Sequence, residues 1–497
     1  MKHPIKLFSM IAVVMLVAML LPATTSAISC NPIRGSHPMI FVHGSSGSAT
    51  QFESQAMRFA SNGYPHEYIY VLEYDSTFSI NTIDAVYASL DALIAKAQKE
   101  TGAAKVDILA HSLGTTVMLG GTVTAQVTPG YLNSSAERAA KVNHYVNIDG
   151  RTATALPGTV VGVPIPTLAL WAGIPITPDP DHLRTIVGAT NVIIPNQTHV
   201  QTATSAESFV NMYQFFTGKD AVTSYILPEL PALVMLAGRA TYFPQNTGIQ
   251  NATLEIWRVN GDTGYRIGNK PEKVYNISGD GAWGPFRSHG GWYYEFVVYS
   301  SDGSLPLHFY AEPYMRSDYL IRIQTSTALN AYLSKSDHTT NLNILRDKEI
   351  WGDQGIENDD SLEINGIEVV YPVPFAITKR VIAAFVFDQG PLLPPPYYSN
   401  GVPDGVSHLG VPIYPFFALS FLTGVDLVIP GATPPDSTIP VVLTPRGGGG
   451  KTQVINVPNW ASSGDAVTLH FHDYVQDINS WDDYVRYLLY LLFQKWF

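Results

Sequence analysis

The chain has 497 residues, of which 46% are hydrophobic and 14% are charged, and its formal net charge at neutral pH is −12. This length exceeds what one hydrophobic core usually encloses, so we expect about two to four domains, and the composition excludes a disordered chain. The acidic balance, with no basic face in the sequence, excludes nucleic acid as a partner.

The first 27 residues have the pattern of a secretory signal peptide. Lys2 and Lys6 precede an apolar run over residues 7–21, and small residues lead up to Ala27. This run is shorter than the roughly 20 apolar residues that span a bilayer, and no later segment is long enough, so we expect cleavage and secretion and no transmembrane span. Cys30 is the only cysteine, so no intramolecular disulfide can form, and a lipid anchor at Cys30 on the cell surface is the alternative to plain secretion.

Between residues 36 and 218, short apolar runs alternate with amphipathic ones. The alternation of strands and helices predicts an α/β domain with a mainly parallel sheet that is covered on both faces. The predicted strands lie at 38–42, 68–74, 105–110, 144–148, 166–171 and 191–194, and the predicted helices at 51–62, 84–102, from 114 onward, and 204–218.

After residue 218 the pattern changes to alternating runs separated by Gly, Asn, Asp and Ser. This pattern predicts an antiparallel β-rich region at 219–385 and a second β-rich module at 400–476. A proline-rich stretch at 391–396 separates them, and apolar residues at helical spacing predict a C-terminal helix at 480–497.

The predicted strand at 105–110 runs directly into Ala110-His111-Ser112-Leu113-Gly114. A nucleophile at a sharp strand-to-helix turn needs small residues two positions before and after it, and Gly-x-Ser-x-Gly is the usual solution. Ala110 replaces the first glycine here. The pattern therefore predicts Ser112 as a catalytic nucleophile.

A second motif, His43-Gly44-Ser45, follows the first predicted strand. Acyl transfer builds negative charge on the carbonyl oxygen of the substrate, and fixed backbone amides stabilise that charge. We predict the amides of Leu113 and Ser45 as the oxyanion hole, because Gly44 lets the backbone approach closely. His43 is expected to have a structural role.

The general base and its acid should follow later strands of the same sheet. His199 comes just after the strand at 191–194, where the base is expected, and His144 and His182 fit that position less well. Asp149, Asp179 and Asp181 all preserve the chain order Ser-Asp-His, and the residues alone do not choose among these acids.

Four stretches, at 41–65, 107–115, 131–150 and 189–209, resemble the α/β-hydrolase superfamily. They are most similar to secreted lipases and carboxylesterases of archaea that carry a C-terminal β-rich, lipid-binding domain. The resemblance implies Ser112 as nucleophile, His199 as base and Asp149, in the Asp-Gly at a strand end, as the acid.

The resemblance also implies that the C-terminal region binds an acyl chain or a lipid surface. The relatives carry a longer segment between the second strand and the helix before the elbow, and this segment acts as a lid, whereas residues 74–84 are short here. An insertion at 122–130 is a candidate to shape the substrate groove instead.

The expected function is hydrolysis of carboxylic esters, as a triacylglycerol lipase or carboxylesterase, through an acyl-enzyme intermediate. A cell-surface lipid- or glycan-binding protein with a vestigial hydrolase fold is the alternative, and polyester or thioester substrates stay open. We expect a monomer without cofactor or metal, since Ser, His and Asp suffice for this chemistry. The loop acids Asp359 and Asp360 lack the spacing of an EF-hand.

Overall fold

The computed structural model describes residues 36–176, 183–277, 279–350, 359–370, 381–391, 401–446 and 450–473. Several sequence predictions fall outside these residues. They are the signal peptide at 1–27, Cys30, Asp179, Asp181, His182, most of the proline-rich stretch at 391–396, and the helix at 480–497.

The amino-terminal part of the described chain is an α/β domain. Its strands are β1 (Met39–Val42), β2 (Ile69–Leu72), β3 (Val106–His111), β4 (Gly121–Val123), β5 (Gln126–Thr128), β6 (Val142–Ile148), β7 (Thr167–Ile174) and β8 (Thr190–Thr198). Its helices are α1 (Glu53–Ser61), α2 (Ile83–Thr101), α3 (Leu113–Leu119), α4 (Tyr131–Ser134), α5 (Ala136–Ala140), α6 (Gln201–Thr204) and α7 (Ala206–Thr217), with 3₁₀ turns at Ala49–Phe52, His66–Tyr68 and Thr159–Val161.

Six of these strands form one parallel sheet in the order β2-β1-β3-β6-β7-β8. Successive side chains of a strand point to opposite faces, and both faces are buried. Ile40 and Ile108 face the core against α2 and α3, whereas Phe41 and Leu109 face the core against α1 and α7. The predicted α/β fold class is therefore confirmed, and the strands lie within a few residues of the predicted runs.

The helix ends follow from local chemistry. The Thr82 hydroxyl accepts a hydrogen bond from the amide of Ala85 and caps α2, and Ser205 caps α7 by accepting from Ser208. Such a cap contributes about 1 kcal/mol. Both helices end at a glycine in the left-handed region, Gly102 with φ 73° and Gly218 with φ 67°.

The two segments singled out as a reduced lid and an insertion have ordered backbones. In the first, the Asp75 carboxylate accepts hydrogen bonds from Thr77, Ser79 and the amide of Ile80, which closes the segment into a compact turn. The insertion is the antiparallel β4–β5 hairpin.

The carboxyl-terminal part is rich in β structure, as predicted. Its strands are β9 (Met235–Tyr242), β10 (Thr247–Gly248), β11 (Ala252–Val259), β12 (Lys273–Ile277), β13 (Ala282–Arg287), β14 (Tyr293–Ser300), β15 (Leu307–Ala311), β16 (Asp318–Thr325), β17 (Leu342–Ile350), β18 (Ser361–Ile364), β19 (Ile367–Glu368), β20 (Val381–Phe387), β21 (Leu422–Asp426), β22 (Thr438–Thr444), β23 (Gln453–Pro458) and β24 (Ala466–Phe471). Helix α8 (Thr327–Asn330) and 3₁₀ turns at Pro231–Leu233 and Phe416–Ala418 complete it.

These strands form an eight-stranded sheet, β12-β11-β14-β15-β24-β17-β20-β21, and two four-stranded sheets. Most pairs are antiparallel, but β24 is parallel to both of its neighbours, β15 and β17. The sequence pattern divides the β-rich half between residues 385 and 400, whereas this sheet joins strands from both sides of that division. The reason is that β24, from the end of the described chain, inserts in the middle of the sheet.

Candidate functional site

The turn between β3 and α3 has the strained backbone that a nucleophile elbow needs. Ser112 adopts φ 52° and ψ −121°, a combination that costs a non-glycine residue free energy, and its side chain is partly exposed. Its amide donates to the carbonyl of Ile148 at the end of β6, which fixes the turn at the carboxyl edge of the sheet. Ser112 therefore stands where the sequence predicts the nucleophile.

Two glycines permit the close packing around this turn. A Cβ at Gly44 would lie 2.8 Å from Cβ of Ser112, and a Cβ at Gly114 would lie 2.5 Å from the carbonyl oxygen of Val42. Real Cβ atoms do not approach other atoms so closely. The first strand's loop and the elbow therefore touch through their backbones.

His199 and Asp149 form a buried hydrogen-bonded pair. Nδ1 of His199 lies 2.6 Å from Oδ2 of Asp149, although 50 residues separate them in the chain. Because a carboxylate only accepts, Nδ1 donates the proton in this bond, and in the neutral imidazole the lone pair is then on Nε2. Of the three predicted acids, Asp149 is the one that the described residues place against His199.

Asp149 has further donors on its other oxygen. The amide of Ala172 donates to Oδ1 at 2.7 Å, and the guanidinium of Arg184 contacts the same oxygen at 2.5 Å. Burial raises the pKa of Asp149, but the hydrogen bond and charge of His199, the Ala172 amide and the charge of Arg184 together lower it below its ordinary value. The carboxylate is therefore ionised at neutral pH.

No direct hydrogen bond joins the Ser112 hydroxyl to His199 in the part of the chain that the structure describes. His111 connects the elbow to the base, since its ring lies 4.5 Å from that of His199 and its Nε2 donates to the carbonyl of His199 at 3.0 Å. Burial and the neighbouring His199 lower the pKa of His111 to about 3, so this imidazole is neutral. His111 thus fixes the backbone of His199 without carrying charge.

The predicted oxyanion donors lie beside this turn. Leu113 is the first residue of α3, so its amide has no acceptor within the helix. Ser45 lies in an exposed turn after β1, and its amide makes no hydrogen bond among the described residues. Both amides are free to bind an oxygen.

His43 has the structural position expected of it. Its buried ring stacks on Tyr74 with 4.4 Å between ring centroids, and the Tyr74 hydroxyl donates to the carbonyl of His43. Asn246, from the β-rich half, donates to the carbonyl of Gly47 at 2.8 Å and so supports the same loop. Burial lowers the pKa of His43, which excludes a charged form at neutral pH.

The β-rich half also supports the loop that carries His199. The buried carboxylate of Glu349, on β17, accepts hydrogen bonds from the amides of Val200 and Gln201 at 3.0 and 3.2 Å and from the hydroxyl of Thr198. These donors flank His199 and include the first amide of α6. The side chain from the second half therefore caps the loop that presents the base.

Phe421, just before β21, lies over the imidazole itself. Its ring is nearly parallel to that of His199, with 6.3 Å between centroids and 13° between planes. Phe421 has φ 65°, so its own backbone is held in the left-handed region. Sequence reasoning missed Arg184, Glu349 and Phe421, because each lies far along the chain from Ser112 and in no recognisable motif.

A cavity that is open to solvent lies between the two halves of the molecule, next to the loop that carries His199. One side comes from the loop after β1, including Ser46 and Gly47, and from Val200 next to His199. The facing side comes from the β-rich half and includes the apolar side chains Phe243, Leu345, Ile382, Ala383, Phe385 and Leu422.

The other residues considered in the sequence analysis lie away from His199 or are paired with another side chain. His144 faces Asp107 at 3.2 Å, at the opposite end of β6 from Asp149. Asp360, considered as a loop acid for Ca²⁺, is paired with the guanidinium of Arg346 at 2.9 Å. Among the described helices, none is long and apolar enough to cross a membrane.

Comparison with known proteins adds family information to this geometry. The class 2 lipase family model matches residues 36–152, the lipase C-terminal domain model matches residues 232–328, and a further C-terminal domain model matches residues 328–475.

Solved structures with similar folds include several hydrolases. A predicted CIB-like hydrolase from Thermoplasma acidophilum is 14% identical, with 39% of this chain and 90% of that chain covered and a TM-score of 0.24. An α/β-hydrolase enzyme, MGS-MChE2, from the sediment metagenome of the Mar Chica lagoon, Morocco, is 16% identical (36% and 89% covered, TM-score 0.26). Phospholipase PlaB from Legionella pneumophila is 11% identical (58% and 94% covered, TM-score 0.25).

The parallel sheet, the class 2 lipase match over its first strands and the lipase C-terminal match that follows lead to one conclusion. This chain is a lipase-like α/β-hydrolase with a C-terminal β-rich domain.

Proposed function

We propose that this protein hydrolyses carboxylic esters, as a lipase or carboxylesterase, with Ser112 as nucleophile, His199 as base and Asp149 as the acid that orients it. The observation that carries the proposal is the 2.6 Å hydrogen bond from Nδ1 of His199 to Asp149 beside a strained serine elbow. That bond fixes the tautomer whose Nε2 can accept a proton.

In the proposed reaction, Nε2 of His199 takes the proton of the Ser112 hydroxyl as its oxygen attacks the ester carbonyl. The amides of Leu113 and Ser45 bind the oxygen that becomes negative, and each such donor contributes about 3 kcal/mol to the transition state. The intermediate then collapses, the imidazolium gives its proton to the leaving alcohol, and an acyl group stays on Ser112. A water molecule, deprotonated by His199, releases the acid.

The substrate class follows from the cavity between the two halves. Its lining includes Ser46, next to Ser45, and Val200, next to His199, and part of its wall from the β-rich half is apolar, which supports the acyl part of an ester as its occupant. We therefore propose acyl esters or lipids as substrates, with the C-terminal domain in contact with the acyl chain. Secretion with removal of residues 1–27 belongs to the same proposal and is supported by the charged and apolar pattern of that segment.

The test is covalent labelling of the intact protein with a fluorophosphonate probe. We expect one label per chain at Ser112, and Ser112→Ala should lower turnover of p-nitrophenyl butyrate by about 10⁴-fold or more. Ser45→Ala is the matched control, because it removes a hydroxyl from the same site but keeps the backbone amide, and it should retain activity.

A folded protein that neither reacts with the probe nor hydrolyses esters would contradict the proposal. If such a protein still bound lipid or glycan, the alternative of a binding protein on a vestigial hydrolase fold would be favoured.

A further inference from the structure

A buried cluster of acidic and imidazole side chains lies where α1 meets the end of β24. Glu53 is the first residue of α1, in the hydrolase half, and His470 and His472 come from the β-rich half. All three are buried, and one potential ligand atom from each lies within 4.8 Å of the others. None of them takes part in the candidate catalytic site.

The two histidines are placed as a pair. His470 lies on β24 and His472 directly follows its last residue, and their ring centroids are 5.3 Å apart at 74°. Nε2 of His470 donates to the Asp347 carboxylate at 3.0 Å, which leaves Nδ1 of His470 for another contact. An imidazole held by a carboxylate on one nitrogen is the usual arrangement of a metal ligand.

The acidic side of the cluster has its polar neighbours within the cluster itself. Glu53 is 2% exposed, and no amide or hydroxyl of the described residues donates to its carboxylate; its polar neighbours are Asp318 and Nδ1 of His472. Asp318 is 3% exposed and leaves Oδ2 without a donor, while its Oδ1 accepts from the amide of Leu320.

We propose that Glu53, His470 and His472 bind a divalent transition-metal ion of the Zn²⁺ type, with Asp318 beside them as a further oxygen donor. Two imidazole nitrogens and carboxylate oxygen suit Zn²⁺, whereas Ca²⁺ and Mg²⁺ prefer oxygen alone. Bonds of about 2.0–2.1 Å in a tetrahedron place neighbouring ligand atoms about 3.3 Å apart. Nδ1 of His472 and Oε1 of Glu53 are already separated by 3.3 Å.

The position of the cluster gives the ion a structural role. Glu53 follows the turn that continues from the oxyanion loop, and His470 and Asp347 border the cavity between the two halves. A bound ion therefore joins the hydrolase half to the β-rich half directly behind the loop of Ser45. The cavity supplies its route of entry.

The experiment uses the full-length protein, stripped with a chelator, dialysed, and then equilibrated separately with ZnCl₂, CaCl₂ or MgCl₂. Bound metal is counted by elemental analysis, and thermal unfolding is followed in the same samples. We expect one Zn²⁺ per chain and a Tm higher by about 5 °C, with less than about 1 °C from Ca²⁺ or Mg²⁺. Co²⁺ in place of Zn²⁺ should give the visible absorption of tetrahedral nitrogen and oxygen ligation.

The Glu53→Gln and His472→Gln variants should each lose the stoichiometric Zn²⁺. Glu67 and His338 are exposed, so the control variants Glu67→Gln and His338→Asn should still bind one Zn²⁺ per chain. Wild-type protein that binds no Zn²⁺ and keeps its Tm would overturn the proposal, and so would a preference for Ca²⁺ or full Zn²⁺ occupancy in both ligand variants. Glu53 and Asp318 would then be carboxyls that share a proton. The measurement on the wild-type protein tests the proposal even if a ligand variant fails to fold.

Discussion

At the scale of single residues, the carboxylate of Asp149 is shared between His199 and Arg184. One oxygen orients the imidazole, and the other is held by the guanidinium and by the Ala172 amide. This division keeps the carboxylate fixed in the plane that the imidazole requires. The two contacts therefore have separable consequences for catalysis and for stability.

Asp149→Asn should lower kcat for p-nitrophenyl butyrate by about 10⁴-fold, because an amide can favour the wrong imidazole tautomer. Steady-state kinetics on the purified variant measure this. Asp179→Asn and Asp181→Asn are the matched variants, since these acids satisfy the same chain order, and both should keep near wild-type kcat. A collapse of activity in either of them, with Asp149→Asn active, would reassign the acid.

Arg184→Gln should lower the Tm at neutral pH, because it removes a charged partner from a buried carboxylate, a loss typically of about 3 kcal/mol. The pKa of Asp149 is lowered in the folded state, so the stability that its partners contribute is present above its ordinary pKa of 3.8 and is lost as pH falls through the lower folded value. The Tm difference between wild type and variant should be constant from pH 7 to pH 5 and shrink below about pH 3.8.

Thermal unfolding of both proteins across this range measures the effect. A Tm difference that does not depend on pH would mean that Arg184 stabilises the fold through packing on Trp171, over which its guanidinium lies at 5.4 Å, and not through charge.

At the scale of secondary-structure elements, the loop between β8 and α6 presents His199 and is supported by β17. Glu349 accepts from both amides after His199, so the position of the imidazole depends on a strand more than 100 residues away. In the proposed reaction, Glu349 would hold the base in place without touching the substrate.

Glu349→Gln should lower kcat by about 10- to 100-fold with a small change in KM, because a displaced base slows proton transfer more than it weakens binding. The amide keeps one acceptor but turns an NH₂ group towards donors. Glu363→Gln on β18 is the control, as this exposed glutamate lies away from the loop, and it should match wild type. A variant with lowered Tm but unchanged kcat would limit Glu349 to a structural role.

The parallel sheet could be predicted from the sequence because its strands are buried on both faces and read as continuous apolar runs. The strand-to-helix turn at Ser112 could be predicted as well, since such an elbow requires small neighbours at fixed positions. The insertion of β24 between β15 and β17 could not be predicted, because alternation shows which face of a strand is buried and not which strand lies next to it. The contacts of Arg184 and Glu349 could not be predicted for a similar reason, because a single charged residue in a loop or strand gives no periodic pattern.

At the scale of the whole molecule, both halves contribute residues to the candidate site. The hydrolase half supplies the elbow, the loop of Ser45 and the buried His199, whereas the β-rich half supplies Glu349, Phe421 and apolar residues that line the cavity. A hydrolase half alone would leave that wall absent and the loop of His199 unsupported. Substrate preference should therefore depend on residues of the second half.

Ala383→Leu tests this dependence directly. Ala383, on β20, lines the cavity and is 6% exposed, so the larger leucine side chain should take up part of the cavity and leave less room for an acyl chain. We expect kcat/KM for long-chain p-nitrophenyl esters such as the palmitate to fall by at least about tenfold, with the acetate unaffected, because each excluded methylene forfeits about 1 kcal/mol or more of binding. The Ala85→Leu change on the exposed face of α2 adds the same side chain away from the cavity and should leave the profile unchanged. An equal fall in kcat/KM of the Ala383→Leu variant for all chain lengths would contradict this placement of the acyl group. If the cavity holds the far end of a long acyl chain, filling it should not slow the hydrolysis of an acetate.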